Sequence, residues 1–378
     1  MIQSLRSEGF KGIDGHDFPF RPLTVLTGTN CAGKSSVIQA ILLARMAFLA
    51  KMEKKENEPT VPLNDCYDLR LGKVKDIVTF KGDFDGSDSR SINTIITCNN
   101  QKYQWGFVAE NLDDRYLTCS TVPSQSVAGV TATGTGGFTY LSAMRSDQSD
   151  SQNVQSLPMS TMELGSRGEF LMDVLWRHGS ASVEKALRHP KAGQLPLLKQ
   201  VEHWLGEFIT EVALKVEYSS ELDMLGLRYL QGGLLGEWVR PSNTGFGLSY
   251  CLPIVVAGLM GKPGSLLIID SPEAHLHPAA QSLMGQFLAR LAAVGIQTVI
   301  ETHSDHVING IHLAALLQEH PLQRQDVVLN FLTRGADGMC MKSIEITPSG
   351  ALSEYPDYFF DQSEKDLSRI IAARRNQA

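Results

Sequence analysis

An α/β fold with a mixed sheet, split by a mainly helical insertion, is what this sequence predicts, and three observations predict it. Near the N-terminus an apolar strand, a glycine-rich loop and an apolar helix follow one another over residues 22–49. In the second half a strand, a helix and a strand recur over residues 265–302. Between Val74 and Ala109 three short segments alternate apolar and polar residues, the pattern of an antiparallel sheet.

The chain of 378 residues is long for one ordinary domain and short for three. The expected boundaries are an N-terminal lobe over 1–145, a helical insertion over 146–225, a C-terminal lobe over 226–340 and a terminal element over 341–378. Hydrophobic residues at 43% and charged residues at 20% exclude a wholly disordered chain. A net charge of -7 without a long basic block argues against nucleic-acid binding by bulk charge, and leaves a local groove for DNA or RNA open. The six cysteines show no CxxC spacing, so neither a zinc ribbon nor a disulfide framework is expected. No uninterrupted apolar run reaches the roughly 18 residues that span a bilayer. The first ten residues lack an apolar signal region, so the expected setting is the reducing cytoplasm, away from membranes.

PLTVLT (22–27) reads as a buried strand and Ser35–Leu49 as the helix after the glycine loop. KMEKKENEP (51–59) reads as a charged loop. Residues 74–80, 91–98 and 102–109 read as strands, with turns at Gly82-Asp83 and Asn99-Asn100. Ser120–Gly137 and Ser146–Ser160 read as flexible loops. From Arg167 to Glu217 the pattern turns helical, and Leu197, Val201, Trp204, Leu205 and Phe208 form one apolar face suited to core packing. Tyr250–Met260 is a helix that must start near Ser249 if Pro253 is to sit in its first turn. SLLIID (265–270) and QTVIET (297–302) are buried strands, with a helix over Ala279–Ala293 between them.

Gly28-Thr-Asn-Cys-Ala-Gly33-Lys34-Ser35 fits G-x-x-x-x-G-K-[ST] between a strand and a helix, which is the context a phosphate loop needs. Gly28, Asn30, Ala32, Gly33, Lys34, Ser35 and Ser36 are the expected nucleotide contacts. The glycines let backbone N–H groups approach phosphate, Lys34 reaches the β- and γ-phosphates, and Ser35 places its hydroxyl on Mg²⁺. Four apolar residues ending in Asp270 describe a Walker B strand, whose carboxylate holds Mg²⁺. His303, at the end of the next strand, is placed to sense the γ-phosphate. Asn243-Thr-Gly245-Phe-Gly247-Leu-Ser249 precedes a helix and makes a second anion-binding end. His275, His277, His303 and His306 have metal-ligand spacings, but all fall within these motifs and no structural metal is expected.

GTNCAGKSS, GFGLSYCLP, LLIIDSPEAHLHP and ETHSDH, in this order, resemble the ABC-type ATPase heads of the SMC, RecF and OLD nuclease group. More narrowly, the chain resembles prokaryotic OLD-like AAA ATPases that end in a small domain of unknown function. FKGI (10–13), YLSAMR (140–145) and YPDYFFDQ (355–362) extend the likeness, which is poor over 150–225. The resemblance implies that Phe10 and Lys11 lie near the nucleotide. It implies that Gly245, Gly247 and Ser249 contact the γ-phosphate of an opposite subunit in a homodimer or higher oligomer. Residues 274–277 would form the D-loop at the seam, and Arg145 would reach the nucleotide or a neighbour, if it is not in a surface salt bridge. The resemblance further implies ATP and Mg²⁺ as cofactors, a prokaryotic defence role, and a separate effector such as a nuclease or other toxin. The residues after His303 contain no D-x-D, so no Toprim nuclease is expected within them.

One departure stands out. Where many such ATPases place a catalytic glutamate after the Walker B aspartate, this chain has Ser271, and the nearest carboxylate is Glu273. Ser271, Glu273 and His303 are therefore the candidate catalytic residues. A nonhydrolysing ATP-bound scaffold and a P-loop phosphotransferase are the alternatives.

Overall fold

A computed structural model describes residues 1–54, 58–79, 91–145, 149–156, 158–231, 236–317, 322–335 and 338–375. Its centre is a six-stranded mixed sheet. The order is 338–344, 327–335, 23–28, 297–301, 266–270 and 138–141, with every neighbour parallel except the edge pair 327–335 and 338–344. The strand that leads into the glycine loop, Leu23–Gly28, thus lies directly beside Gln297–Glu301, and Leu266–Asp270 comes next. A second six-stranded sheet is antiparallel, in the order 17–19, 2–8, 91–98, 101–108, 116–121 and 60–62.

Side-chain alternation in the central strands builds two cores. Leu26, Leu266, Ile268 and Val299 face a core shared with the antiparallel sheet and the helix Lys34–Lys54. Val25, Leu267, Ile269 and Ile300 face the opposite core, with the helices Phe246–Met260, Pro278–Ala293 and Asp305–Leu316. The helix Lys34–Lys54 is apolar around much of its circumference because it lies between two sheets. By length and composition its first 20 residues could cross a membrane, yet 67% of the apolar window is buried inside the protein. Lys34, Gln39 and Arg45 interrupt its apolar run in sequence, which is why a search for unbroken runs passes over it.

Several expected elements shift. The first helix continues to Lys54, into the stretch expected to be a loop. Val74–Asp76 is a 3₁₀ turn rather than a strand, and Val78 makes only an isolated bridge to Phe10. Phe80 and the expected turn at Gly82-Asp83 lie outside the described residues. Within 146–160, Ser151–Asn153 is a strand that pairs with Met224–Gly226. The segment 146–225 holds the helices Leu171–His178 and Leu197–Phe208, and also the strand Val212–Ser219, which pairs with Met224–Gln231. The face of Leu197, Val201, Leu205 and Phe208 is core packing, with Trp204 and Phe208 against Phe287.

The helix before the Walker B strand starts at Phe246, so Pro253 lies in its interior and not in its first turn. Proline there removes a hydrogen bond and costs about 3 kcal/mol. Burial offsets that cost, since every residue from Leu248 to Leu259 except Tyr250 is buried between the central sheet and the inserted helices.

Arg45 shows how the N-terminal core is fastened. Its fully buried guanidinium donates to Val130 O at 2.8 Å, Ala132 O at 2.6 Å and Tyr67 Oη at 2.7 Å. It also reaches Glu163 at 3.3 Å and lies 4.0 Å from the centre of the Phe138 ring. Arg45→Ala would strand one buried and one part-buried carbonyl and should destabilise the protein by about 3 kcal/mol. Arg45→Lys should rescue little, because an ammonium cannot reproduce the fork. Urea unfolding checks this, and a loss below about 1 kcal/mol for the alanine variant would contradict the role.

Candidate functional site

The glycine loop takes the shape its residues allow. Gly28 has φ 129° and a Cβ there would collide with Leu332 O, so only glycine fits. Gly33 has φ 104°, and the non-glycine Cys31 is also left-handed at φ 60°. Asn30, Cys31 and Ser35 are exposed, whereas Ala32, Lys34 and Ser36 are buried. Lys34 Nζ folds back over the loop and donates to Gly28 O at 3.2 Å and Thr29 O at 2.8 Å. Burial pulls its pKa down, against the pull of Glu301, Cys31 and Asp270. This is a loop with its cation already held across its mouth.

Parallel register brings the other groups to the same sheet end. Asp270 pairs with Glu301, and Glu301 pairs with Leu26 of the loop strand. Ligands of open parallel sheets bind in this crevice at the C-terminal ends of the strands. Ser35 Oγ donates to Glu301 Oε1 at 3.0 Å. Ser271 Oγ donates to Asp270 Oδ1 at 2.8 Å, from a left-handed residue at φ 53°. Burial, and then the neighbouring Asp270 charge, push the Glu301 carboxyl up to about 7. Burial also raises the Asp270 pKa.

Glu273 lies in the turn after the Walker B strand and is anchored to the next strand end. Its Oε2 accepts from Thr302 Oγ1 at 2.7 Å and its Oε1 accepts from His303 N at 2.8 Å. It does not cap the helix that follows; His277 does that, accepting from Ala279 N at 3.4 Å. The His303 side chain is exposed at the site, and desolvation and then Lys34 hold its pKa below the usual imidazole value. Ser271, Glu273 and His303 thus sit around the end of the same strand pair.

The signature segment is built differently from its sequence reading. Gly245 is the N-cap, and Asn243, Gly245 and Phe246 are exposed at the helix start. Phe246 stacks on His275 at 5.2 Å, and Gly247 lets the helix approach His275 O, so the signature and the 274–277 turn form one surface. Ser249 is one turn further in, is 8% exposed, and lines a cavity with Tyr229 and Pro253.

Phe10 is fully buried and belongs to the core. Lys11, left-handed at φ 45°, donates to Gln39 Oε1 at 2.8 Å, and Ile13 in the same turn lies over Gly33. Arg145 is 1% exposed, and among the described residues it makes no surface salt bridge. It donates to the backbone carbonyls of Ser142 at 3.1 Å, Asp270 at 2.6 Å and Ser271 at 2.5 Å. It therefore fixes the end of the Walker B strand.

Sequence reasoning missed a cavity of about 260 Å³ lined by Ser35, Gln39, Asp68, Arg70, Tyr140 and Asp270. Asp68 and its neighbour Tyr67 are both left-handed, at φ 55° and 52°, the kind of local strain that collects at working sites. No periodic or motif signal marks these residues. Glu301 opens the ETHSDH segment, and its position at a strand end was the signal that could have found it. Among the described residues no group of three or more His, Cys, Asp or Glu could hold a metal alone. The groups present are all oxygens: the Ser35 hydroxyl and the Asp270 carboxylate, with the unpartnered Glu301 Oε2 beside them. That set fits a hard cation such as Mg²⁺, completed by phosphate oxygens.

A raised carboxyl pKa fixes the sign of a pH effect. Glu301 favours its protonated form in the folded chain, so its contribution is full below the ordinary value of 4.5 and is lost as pH rises through about 7. The loss is roughly 3 kcal/mol at most, at about 1.4 kcal/mol per unit. Glu301→Gln should therefore gain stability relative to the unaltered protein between pH 5 and 8, measured by thermal unfolding without nucleotide. Parallel stability curves would contradict the raised value.

Comparison with known proteins agrees with this geometry. Residues 181–309 match the family described as "AAA domain, putative AbiEii toxin, Type IV TA system". Residues 322–370 match "Protein of unknown function (DUF3696)". The phosphate loop lies outside both segments. A stretch of 57 residues is 37% identical to the Old nuclease of Escherichia phage P2, spanning 15% of this chain and only 10% of that protein. An SMC head bound to the C-terminal winged-helix domain of ScpA superposes with a TM-score of 0.53 at 12% identity, covering 92% of this chain and 98% of that one. The Smc head domain with an extended coiled coil, bound to the C-terminal domain of ScpA from Pyrococcus furiosus, gives 0.55 at 10%, covering 98% and 99%. By fold the chain is similar to the ABC-type ATPase heads of SMC proteins, and its second half carries the two matched family segments.

Proposed function

We propose that this chain binds and hydrolyses ATP with Mg²⁺, dimerises around the nucleotide, and acts in the cytoplasm as the sensor or regulatory subunit of a prokaryotic defence or DNA-directed complex. The observation that carries the ATPase reading is convergence. Lys34, Ser35, Asp270, Glu301 and His303 come from three neighbouring strand ends and meet beside one phosphate loop. Ser35 and Asp270 would hold Mg²⁺, which would supply positive charge to the β- and γ-phosphates. Glu273, braced by Thr302 and the His303 N–H, is our choice for the group that orients the attacking water.

Dimerisation is supported by the exposed signature. Its helix presents Gly245 and Phe246 outward beside His275, so a second copy's triphosphate could meet the helix N-terminus. The Ser249 hydroxyl is buried, so the N–H groups of the first turn, from Gly245 to Gly247, are the ones that would meet the phosphate. A separate effector fits the kinship with an SMC head bound to another protein, and a DNA-directed role fits the short likeness to a nuclease. One observation favours a nonhydrolysing scaffold instead: Ser271 replaces the usual glutamate, and both oxygens of Glu273 are already engaged.

Lys34→Ala should weaken ATP binding roughly 100-fold or more by removing the charge that faces two phosphates. Unchanged calorimetric affinity would sink the phosphate-loop assignment. Glu273→Gln should keep ATP binding, slow phosphate release about 10²–10⁴-fold and accumulate the dimer. Near-normal release would remove Glu273 from the mechanism, while no release from the unaltered protein, with or without DNA, would favour the scaffold. Gly245→Arg, at a position with open space around it, should abolish the ATP-dependent increase in mass seen by light scattering. An increase that persists would count against closure through the signature.

A further inference from the structure

Glu301 is explained by neither the phosphate loop nor the Walker B strand. It is 6% exposed, ends the strand Gln297–Glu301, and lies between Asp270 and Leu26 in the register of the sheet. Two carboxylates therefore end adjacent parallel strands at the mouth of the site. Only one oxygen of Glu301 is satisfied. Oε1 accepts the Ser35 hydroxyl at 3.0 Å, while Oε2 is buried without a hydrogen-bond partner. The nearby cation does not serve it, because the hydrogen bonds of Lys34 Nζ go to Gly28 O and Thr29 O.

A buried carboxylate oxygen without a donor is costly, and it persists where something else completes it. Where both are ionised, two carboxylates facing a triphosphate would also repel it. Both difficulties vanish if a divalent cation enters with the nucleotide. The hydroxyl of Ser35 has one hydrogen and two lone pairs. Its hydrogen is committed to Glu301, which leaves the lone pairs free for a metal. Partners of this kind orient a metal's ligands, and losing one typically costs about 10- to 100-fold in metal affinity.

We propose that Glu301 is a positioning residue of the divalent-cation site: Oε1 orients the Ser35 hydroxyl, Oε2 is the acceptor for a cation-bound water, and the paired Asp270 and Glu301 make the site select cation-bound over cation-free nucleoside triphosphate. This rests on the ATP-binding reading above and adds to it the form of the nucleotide that is accepted.

The test uses the full chain and a non-hydrolysable ATP analogue in two arms. In one, Mn²⁺ affinity is measured by electron paramagnetic resonance with saturating analogue. In the other, analogue affinity is measured in EDTA. Glu301→Gln should lose about 10- to 100-fold in Mn²⁺ affinity and bind the analogue in EDTA as well as, or better than, the unaltered protein. Opposite movements of this kind do not arise from a merely damaged fold. Glu301→Asp keeps the charge but draws it back from Ser35, and should also lose Mn²⁺ affinity, which keeps the test usable if the glutamine variant fails to fold. Unchanged Mn²⁺ affinity in either variant, or a parallel loss in both arms, overturns the proposal. An unaltered protein that binds the analogue in neither arm overturns the ATP reading itself, and this inference with it.

Discussion

Insertion of Gln297–Glu301 between the loop strand and the Walker B strand is the constraint on which the site depends. Parallel pairing fixes the register on both sides at once: Glu301 meets Leu26 on one side and Asp270 on the other. A slip of one residue would turn Val299 and Ile300 to the wrong cores and carry Glu301 away from Ser35. The apolar pattern of the strand therefore sets the chemistry at its end. Glu301 and Asp270 are adjacent because the residues before them must alternate between two cores.

Buried guanidinium groups then hold what the sheet has aligned. Arg145 ties its own segment to the carbonyls of Asp270 and Ser271, so the Walker B end cannot fray. Arg45, within the phosphate-loop helix, ties that helix to the strained turn at Tyr67 and to the 130–132 segment. Asp68 follows Tyr67 and lines the same cavity as Ser35 and Asp270. Through Arg45, the helix that carries Ser35 and the loop that carries Asp68 are fastened as one unit. A shift in the helix when phosphate engages the loop would have to move that turn as well. The charge in both arginines is used for geometry, since each satisfies carbonyls that no strand or helix satisfies.

How much of this was legible in the sequence follows from the range of each signal. The phosphate loop, the Walker B strand and the switch strand are local patterns, and the structure places them within a residue or so of their sequence bounds. Pro253 misled the helix start because a propensity rule ignores tertiary burial, and here burial of the whole helix prevails. Ser249 looked like an anion contact by spacing, but the helix begins three residues earlier and turns it inward. Asp68 and Arg70 were invisible, because a strained loop has no period and its partners are distant in sequence. Glu301 was visible but unassigned, since its meaning depends on Ser35, 266 positions away.

The position after Asp270 shows how the departure from the usual pattern works physically. Ser271 is left-handed, a conformation that disfavours long side chains without a local hydrogen bond. Its short hydroxyl supplies such a bond, to Asp270 Oδ1, while its carbonyl receives Arg145. Both contacts constrain the Asp270 carboxylate and its backbone, so Ser271 acts as an orienting group for the Walker B acid. A glutamate in its place would lose that short bond and would crowd a second acid against Asp270 and Glu301, which are already disfavoured as anions by burial. Moving the carboxylate on to Glu273, beyond Pro272, avoids that crowding. There Thr302 and the His303 N–H stabilise the charge, and the carboxylate is coupled directly to the backbone of His303. A movement of the His303 backbone would disturb the hydrogen bond that holds Glu273, so under the proposed roles sensing and water orientation would share one contact.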